Sequence, residues 1–463
     1  MALIAVAFLC VPAFAAVQNV KVSGNIESTW LVRDQFDFGD VTAATGDFYQ
    51  NLLITQAILR VDADLTDNVQ TVLSLINERD WGSEAETSDL TTDVAVNLAY
   101  VALKEFLYSP LTLIIGRQHL NYGNAFIVGK GGPNNSADGR LGSVANDLTK
   151  RTAMDAVKAI LNYDPLTIDI FAAKVDENIV AGANNKDHDD TDLYGFNANY
   201  KLGDSRNTEI ESYFFAKIDK STVATGTAGE KTDTVYTPGL RVATNPIEGL
   251  WTSAEVAWQG GNKTNATGSS GADNLRREAM GAQVISSYQV PFMKEYNPVL
   301  SNSYTYTSGD SNPTDVRAGD NMASDDKWTG WDQMYEDQAA GTIYNTLADL
   351  TNTHIYNAAL QVTPIEDVTA KLSWWGLWWD KEADRAASTT STTIKQPDGT
   401  TVSLTNELDK RHIGNEFDAE LLYNYTEDVQ IGFIASWFFA GNYWHSDNDD
   451  VAKQFLTKVS ANF

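Results

Sequence analysis

The chain is 463 residues long and sets 62 acidic residues against 33 basic ones, for a net charge of −29, with a single cysteine. That balance excludes a typical nucleic-acid binder, because phosphate contacts need clustered Lys and Arg. Cys10 lies in the apolar N-terminal run, so a chain without that run has no disulfide and no thiolate metal site.

Met1 to Val17 is an uncharged apolar stretch with Ala13 and Ala15 flanking Phe14. An apolar core followed by A-x-A reads as a secretory signal cut after Ala15. Residues 1–15 are therefore assigned to a signal peptide and 16–463 to a single further domain. No later segment approaches the roughly eighteen apolar residues of a membrane helix. Transmembrane strands need only about ten residues and hide their hydrophobicity in alternation.

The first strand shows this alternation. Val20, Val22, Ile26, Trp30 and Val32 share one face, and Lys21, Ser23, Asn25, Glu27, Thr29 and Arg33 share the other. About eighteen such segments follow one another, near 18–33, 48–65, 69–81, 91–107, 111–122, 152–163, 166–176, 192–202, 207–218, 234–244, 249–259, 275–289, 297–308, 352–363, 367–379, 412–425, 429–440 and 452–463. Phe417, Ala419, Leu421, Tyr423 and Tyr425 oppose Glu416, Asp418 and Glu420. In 429–437 only Ile434 falls out of phase, and in 452–463 only Leu456 does.

Every second connection is short, as at 66–68, 164–165, 203–206, 245–248 and 426–428, whereas 123–151, 309–351 and 380–411 are long. This asymmetry predicts an all-β fold: a transmembrane antiparallel β-barrel of about eighteen strands, with short periplasmic turns and long extracellular loops. An even strand count puts both termini on the periplasmic side. Trp30, Trp258, Trp374, Trp378 and Trp437 fall near strand ends that lead into longer loops, where amphipathic rings suit the headgroup level. The last strand ends on Phe463, which resembles the signal read by the barrel-assembly machinery of the bacterial outer membrane. The expected surroundings are outer-membrane lipid and lipopolysaccharide.

Three segments go beyond a generic barrel pattern: Gly116-Arg117-Gln118-His119-Leu120-Asn121-Tyr122-Gly123, Tyr304-Thr305-Tyr306-Thr307-Ser308-Gly309-Asp310, and Trp331-Asp332-Gln333-Met334-Tyr335. With the terminal Phe463 they resemble the alginate export family of outer-membrane porins, over roughly residues 20–463. The resemblance implies a monomeric barrel of about eighteen strands with loops folded toward the pore. It also implies that Arg117, Gln118, Ser308 and Asp310 lie near the channel.

The wall departs from what export of a polyanion requires. Taking the polar phase of each strand as lumenal, Lys21, Arg33, Arg60, Lys158, Lys201, Lys217, Arg241, Lys371 and Lys458 face Glu27, Asp62, Asp64, Asp169, Glu209, Glu211, Glu255, Glu416, Asp418 and Glu420. Alginate needs a continuous basic wall, and this one is mixed. An acidic mouth enriches cations over a Debye length of about 8–10 Å. The expectation is a porin for passive diffusion of ions and small hydrophilic solutes, mildly cation-selective. Two other readings are export of an alginate-like polysaccharide or a sugar-specific channel, and a plugged structural or adhesive barrel. The pore-lining set comprises Arg117, Gln118, Ser308, Asp310, Arg60, Asp62, Lys371, Glu416, Asp418 and Glu420, with loops 123–151 and 309–351 forming the constriction. Trp375 and Phe438 are candidate stacking positions for sugars.

Catalysis is not expected: His119, His188, His354, His412 and His445 sit near strand ends or in loops, without a nucleophile motif. No cofactor or metal is expected either. The acidic runs 187–192 and 447–450 offer oxygen ligands but lack the spacing and central glycine of a calcium loop.

Overall fold

The computed structural model describes residues 19–39, 48–82, 94–130, 144–176, 191–220, 232–264, 274–311, 327–382, 391–407 and 409–463. The signal peptide assigned to 1–15 and the acidic segment 187–190 lie outside these residues. Eighteen antiparallel strands follow in chain order. They are β1 (Asn19–Asp34), β2 (Tyr49–Thr66), β3 (Val69–Asp80), β4 (Ala95–Leu103), β5 (Leu111–Gln118), β6 (Met154–Asn162), β7 (Leu166–Asp176), β8 (Thr191–Lys201) and β9 (Glu209–Asp219). The second half comprises β10 (Asp233–Ile247), β11 (Leu250–Thr264), β12 (Asn274–Gln289), β13 (Val299–Thr307), β14 (Thr353–Ile365), β15 (Val368–Trp379), β16 (His412–Asn424), β17 (Val429–Ala440) and β18 (Ala452–Asn462).

Each strand pairs with its sequence neighbours, and β18 closes on β1 from Asp34↔Lys453 to Asn25↔Asn462. Closure leaves no sheet edge, which matters where no water can satisfy one. Backbone bonds of 2.8 and 3.1 Å join Phe463 to Gly24, and the Phe463 ring lies where any side chain at residue 24 would sit. A two-residue strand, Lys327–Trp328, adds in parallel to β12, and Ser391–Lys395 pairs with Thr401–Thr405 as a separate hairpin. Among the described residues no helix is long and apolar enough to cross a membrane.

The eighteen expected strands match these one for one. The larger differences are at β4, which ends at Leu103 against an expected 107, at β5, which stops at Gln118 against 122 because the chain turns inward there, and at β11, which runs on to Thr264 against 259. Residues 91–93 of the expected fourth strand lie outside the described residues.

Alternation sorts side chains as period 2 demands. Val22, Trp30, Leu59, Trp258, Phe433 and Phe455 face outward and are exposed, while Thr29, Leu31, Arg33, Gln56, Glu78 and Gln454 face inward and are buried. Leu456 and Ile434, the two residues out of phase, are explained by what lies inside. Leu31, Ile54, Leu456 and Ala145 form an interior cluster, with Val144, Leu148 and Ile434 packed against it. An inward-folded loop therefore covers a leucine-lined patch of the wall.

A barrel of this size holds an aqueous lumen unless loops fill it. Here loops enter from the rim that carries the long connections. Leu120, Tyr122, Phe126, Ile127, Val128, Trp331, Met334 and Tyr335 pack on inward residues of β6–β12. On the opposite side Phe36, Phe38, Ile343, Tyr344, Leu347, Ile394, Leu404 and Trp444 pack on Ile355, Leu377, Ile413 and Phe438.

Candidate functional site

Two inward loops, 119–130 with 144–153 and 327–352, define the lumen, and polar wall residues hold them. Gly123 brings the first loop against the wall of β9–β11. Its N–H donates to Glu211 Oε1 at 3.0 Å, and Asn124 Nδ2 donates to Ser253 Oγ at 3.0 Å. Arg241 bridges the two, donating from Nε to Asn124 Oδ1 at 2.8 Å and from Nη1 to Glu211 Oε2 at 3.2 Å. Glu255 completes this cluster by accepting from the Tyr213 hydroxyl at 2.7 Å. The return arm of the loop is tied by Glu78, which accepts from Thr149 Oγ1 and Lys150 N, both at 2.8 Å. Buried Arg33 grips Asp147.

The second loop is held at two points. Asp332 lies between β9 and β12, with Lys217 Nζ at 2.8 Å and Arg277 Nη2 at 3.9 Å, while Gln259 exchanges hydrogen bonds with its backbone. Burial disfavours the charged carboxylate, but Lys217 and Arg277 outweigh it and hold the Asp332 pKa down at about 2. Across the lumen, Glu416 accepts from the backbone N–H groups of Thr342, Ile343 and Tyr344 at 2.5, 2.7 and 2.9 Å. Gly341, at φ +94°, permits this approach: a Cβ there would lie 2.3 Å from the Glu416 carboxyl carbon. Thr342 Oγ1 also reaches Asp418 and Ser436, at 3.2 and 2.6 Å.

The residues expected to line a pore thus divide. Glu416 and Asp418 face inward, but they are buried beneath the loop and hold it instead of facing water. Gln118 is also inward and buried, its amide donating to the Ala156 carbonyl at 3.0 Å. Ser308 and Asp310 lie just past β13 and fix Thr329 at the start of the second loop: Ser308 Oγ donates to the Thr329 carbonyl and Asp310 Oδ2 accepts its N–H, both at 2.8 Å. Arg117 differs more. It sits opposite Asp155 on β6 in an unbroken register, two residues beyond Ile115 opposite Val157. Ile115 and Val157 are exposed on the outer face, so Arg117 belongs to the outward phase and not to the lumenal one. The candidate stacking residue Phe438 has no exposed surface and is enclosed by Phe38 and Tyr344. Trp375 is inward, with its Nε1 donating to Asp418 at 2.9 Å.

Arg60, Asp62, Lys371 and Glu420 remain on the open wall. Arg60 and Asp62 form a two-bond pair at 2.8 Å, and Lys371 meets Glu420 at 3.0 Å. In the half nearest the short turns, β14–β18 and β1 enclose a recess lined by Glu27, Gln361, Thr369, Lys371, Glu420, Gln430, Lys458 and Ser460. Opposite charges alternate around it, and Lys150 reaches down from the first loop to Glu27 at 3.2 Å. Such a surface replaces the hydration of polar solutes without a strong preference for one sign.

Sequence reasoning missed the anchors Glu78, Gln259, Arg277 and Asp332. Asp332 lay in a quoted motif, but nothing in the spacing pairs it with Lys217. Among the described residues no cluster of three or more His, Cys, Asp or Glu side chains is placed to hold a metal ion.

The sequence profile of the family described as "Alginate export" matches residues 19–457. No curated protein sequence matches the chain significantly. Among solved structures, Pseudomonas aeruginosa OpdK with vanillate is similar at a TM-score of 0.55 and 10% identity, covering 96% of this chain and 99% of that one. P. aeruginosa OccK11 (OpdR) gives 0.56 at 8% identity, covering 96% of each chain. P. aeruginosa OccK2 (OpdF) in complex with glucuronate gives 0.55 at 11% identity, covering 96% of this chain and 98% of that one.

Proposed function

Because the chain belongs to the alginate export family and is an outer-membrane β-barrel porin, we propose that it passes ions and small hydrophilic solutes by diffusion, with a mild preference for cations. The observation that carries this reading is the mixed open wall. Around β14–β18, β1 and β2 the inward cations Lys21, Arg60, Lys371 and Lys458 alternate with Glu27, Asp62, Asp64 and Glu420. A polyanion would need an unbroken basic track, and this sector offers none. The net charge of −29 supplies the cation bias.

The constriction lies between the loop segments 119–130 and 144–153 on one side and 327–352 on the other, which hydrogen bonds to both sides of the wall hold in place. Phe463, exposed beside Gly24, is the residue offered to the barrel-assembly machinery. We assign no enzymatic step. His354, whose Nδ1 meets the Tyr304 hydroxyl at 2.8 Å and whose Nε2 lies 3.4 Å from Asp380, stands on the outward face with Tyr356.

Single-channel recording of the refolded protein in a planar bilayer under a potassium chloride gradient tests the reading. A steady conductance with a cation-selective reversal potential is expected. Anion selectivity would favour export of an acidic polysaccharide, and folded protein without conductance would indicate a plugged barrel.

A further inference from the structure

On the outward face of β5–β8, a row of charges runs across the sheet in strict register near the rim with the long loops. Arg117 on β5 stands opposite Asp155 on β6, Asp155 opposite Lys174 on β7, and Lys174 opposite Asp192 on β8. Lys174 Nζ lies 2.8 Å from Asp192 Oδ1, and Lys220, just past β9, lies 3.7 Å from Oδ2. Arg117, Lys174 and Lys220 thus outnumber Asp155 and Asp192, giving a local basic excess on a chain of net charge −29. Lys174 keeps 54% of its side chain exposed.

Two residues toward the short turns, the same face becomes apolar. Ile115, Val157, Ala172 and Tyr194 form one row, and Leu113, Ala159, Ile170, Phe196 and Phe214 form the next. A groove opens there, with Ala159, Ala172 and Gly195 as a low floor and Val157, Ile170, Tyr194, Phe196 and Phe214 as its sides. Charged side chains on the lipid face are tolerated only near the interface. The row therefore marks the headgroup level of the outer leaflet, with the groove directly beneath it at acyl-chain depth.

We propose that this face is a binding site for a phosphorylated, acylated glycolipid of the outer leaflet. Arg117, Lys174 and Lys220 bind the phosphate, and the groove holds one acyl chain. A guanidinium fork with two ammonium groups suits a phosphate dianion. The acids fit this occupant better than a simple phospholipid: buried Asp192 holds Lys174 and Lys220 in place, and exposed Asp155 accepts hydrogen bonds from sugar hydroxyls. The ring of Tyr194, 43% exposed just below the row, offers a face to the sugar. This site is independent of what passes through the lumen.

The test is native mass spectrometry of the refolded full chain in detergent micelles. It is titrated with diphosphorylated lipid A, with the same lipid after dephosphorylation, and with phosphatidylglycerol. Diphosphorylated lipid A is expected to bind tightest. The Arg117→Ser/Lys174→Ser double variant is expected to bind it roughly twenty-fivefold more weakly, from about fivefold per cation near a membrane surface. Ala172→Phe, which fills the groove, should weaken both lipid A forms, and Lys453→Ser, at a distant outward position, should change nothing. Equal binding of all three lipids would overturn the site. So would unchanged binding by a double variant that still migrates as a compact, heat-sensitive barrel on semi-native gels.

Discussion

Two sectors of one lumen use the same residue types for different ends. Beside β8–β12, and on β16 beneath the loop residue Thr342, wall charges are spent on loops: Lys217 and Arg277 on Asp332, Glu211 on Gly123, and Glu416 on three backbone N–H groups. In the open sector, among the described residues, Glu420 meets only Lys371, and both keep more than a third of their side chains exposed. Glu416 and Glu420 are four residues apart on one strand and one face, so strand phase does not decide their roles. Loop cover does. Buried partners lost from the filled sector leave groups unpaired, which is costly, whereas exposed pairs contribute about 0–1 kcal/mol.

The sharpest way to break the filled sector is Phe438→Ala, which empties a site enclosed by Phe38 and Tyr344. The expected cost is about 3–5 kcal/mol, read as an earlier thermal loss of loop packing by near-ultraviolet circular dichroism. The variant should leave sugar flux in swelling assays unselective, since Phe438 has no lumenal surface.

Glu416→Ala removes the acceptor of three backbone donors, a cost of roughly 3 kcal/mol at about 1 kcal/mol each. Amide exchange at Thr342, Ile343 and Tyr344 should rise, and single-channel current should become larger and noisier. Gly341→Ala should give the same signature, because the new Cβ would displace the same carboxylate.

Asp332→Asn is expected to cost about 2 kcal/mol, since its carboxyl is held near a pKa of about 2 in the folded chain. A depressed carboxyl pKa stabilises the loop fully above the unfolded value, near 4, and the contribution fades as pH falls toward 2. Wild-type loop protection against exchange should therefore persist at pH 5 and weaken below about pH 4. Asp332→Asn should flatten that dependence.

In the open sector, Lys371→Met and Glu420→Gln are expected to change stability by less than about 1 kcal/mol, with melting temperatures close to wild type. Their effect should be on ion selectivity instead, in opposite directions.

Much of the barrel was legible because period-2 alternation is imposed strand by strand, and each hairpin turn announces itself locally. The lumen was less legible. Leu456 and Ile434 looked like errors of phase, yet they lie where an inward loop covers the wall. Arg117 could not be phased because Leu113, Ile114 and Ile115 are consecutive and both faces read as apolar, and the ladder to Asp155 places it outside. The role of Glu416 was invisible for another reason: its partners are backbone N–H groups, which carry no sequence signature. Alternation reports which face a side chain takes, and says nothing of what lies against that face.

The most direct test of this division is the reversal potential of Glu420→Gln beside that of Glu416→Gln under one potassium chloride gradient. Each variant removes one carboxylate from the same face of the same strand. Glu420→Gln should move the potential toward the unselective value, while Glu416→Gln should leave it near wild type and alter only current noise. An equal shift in both, or a shift in Glu416→Gln alone, would contradict the account.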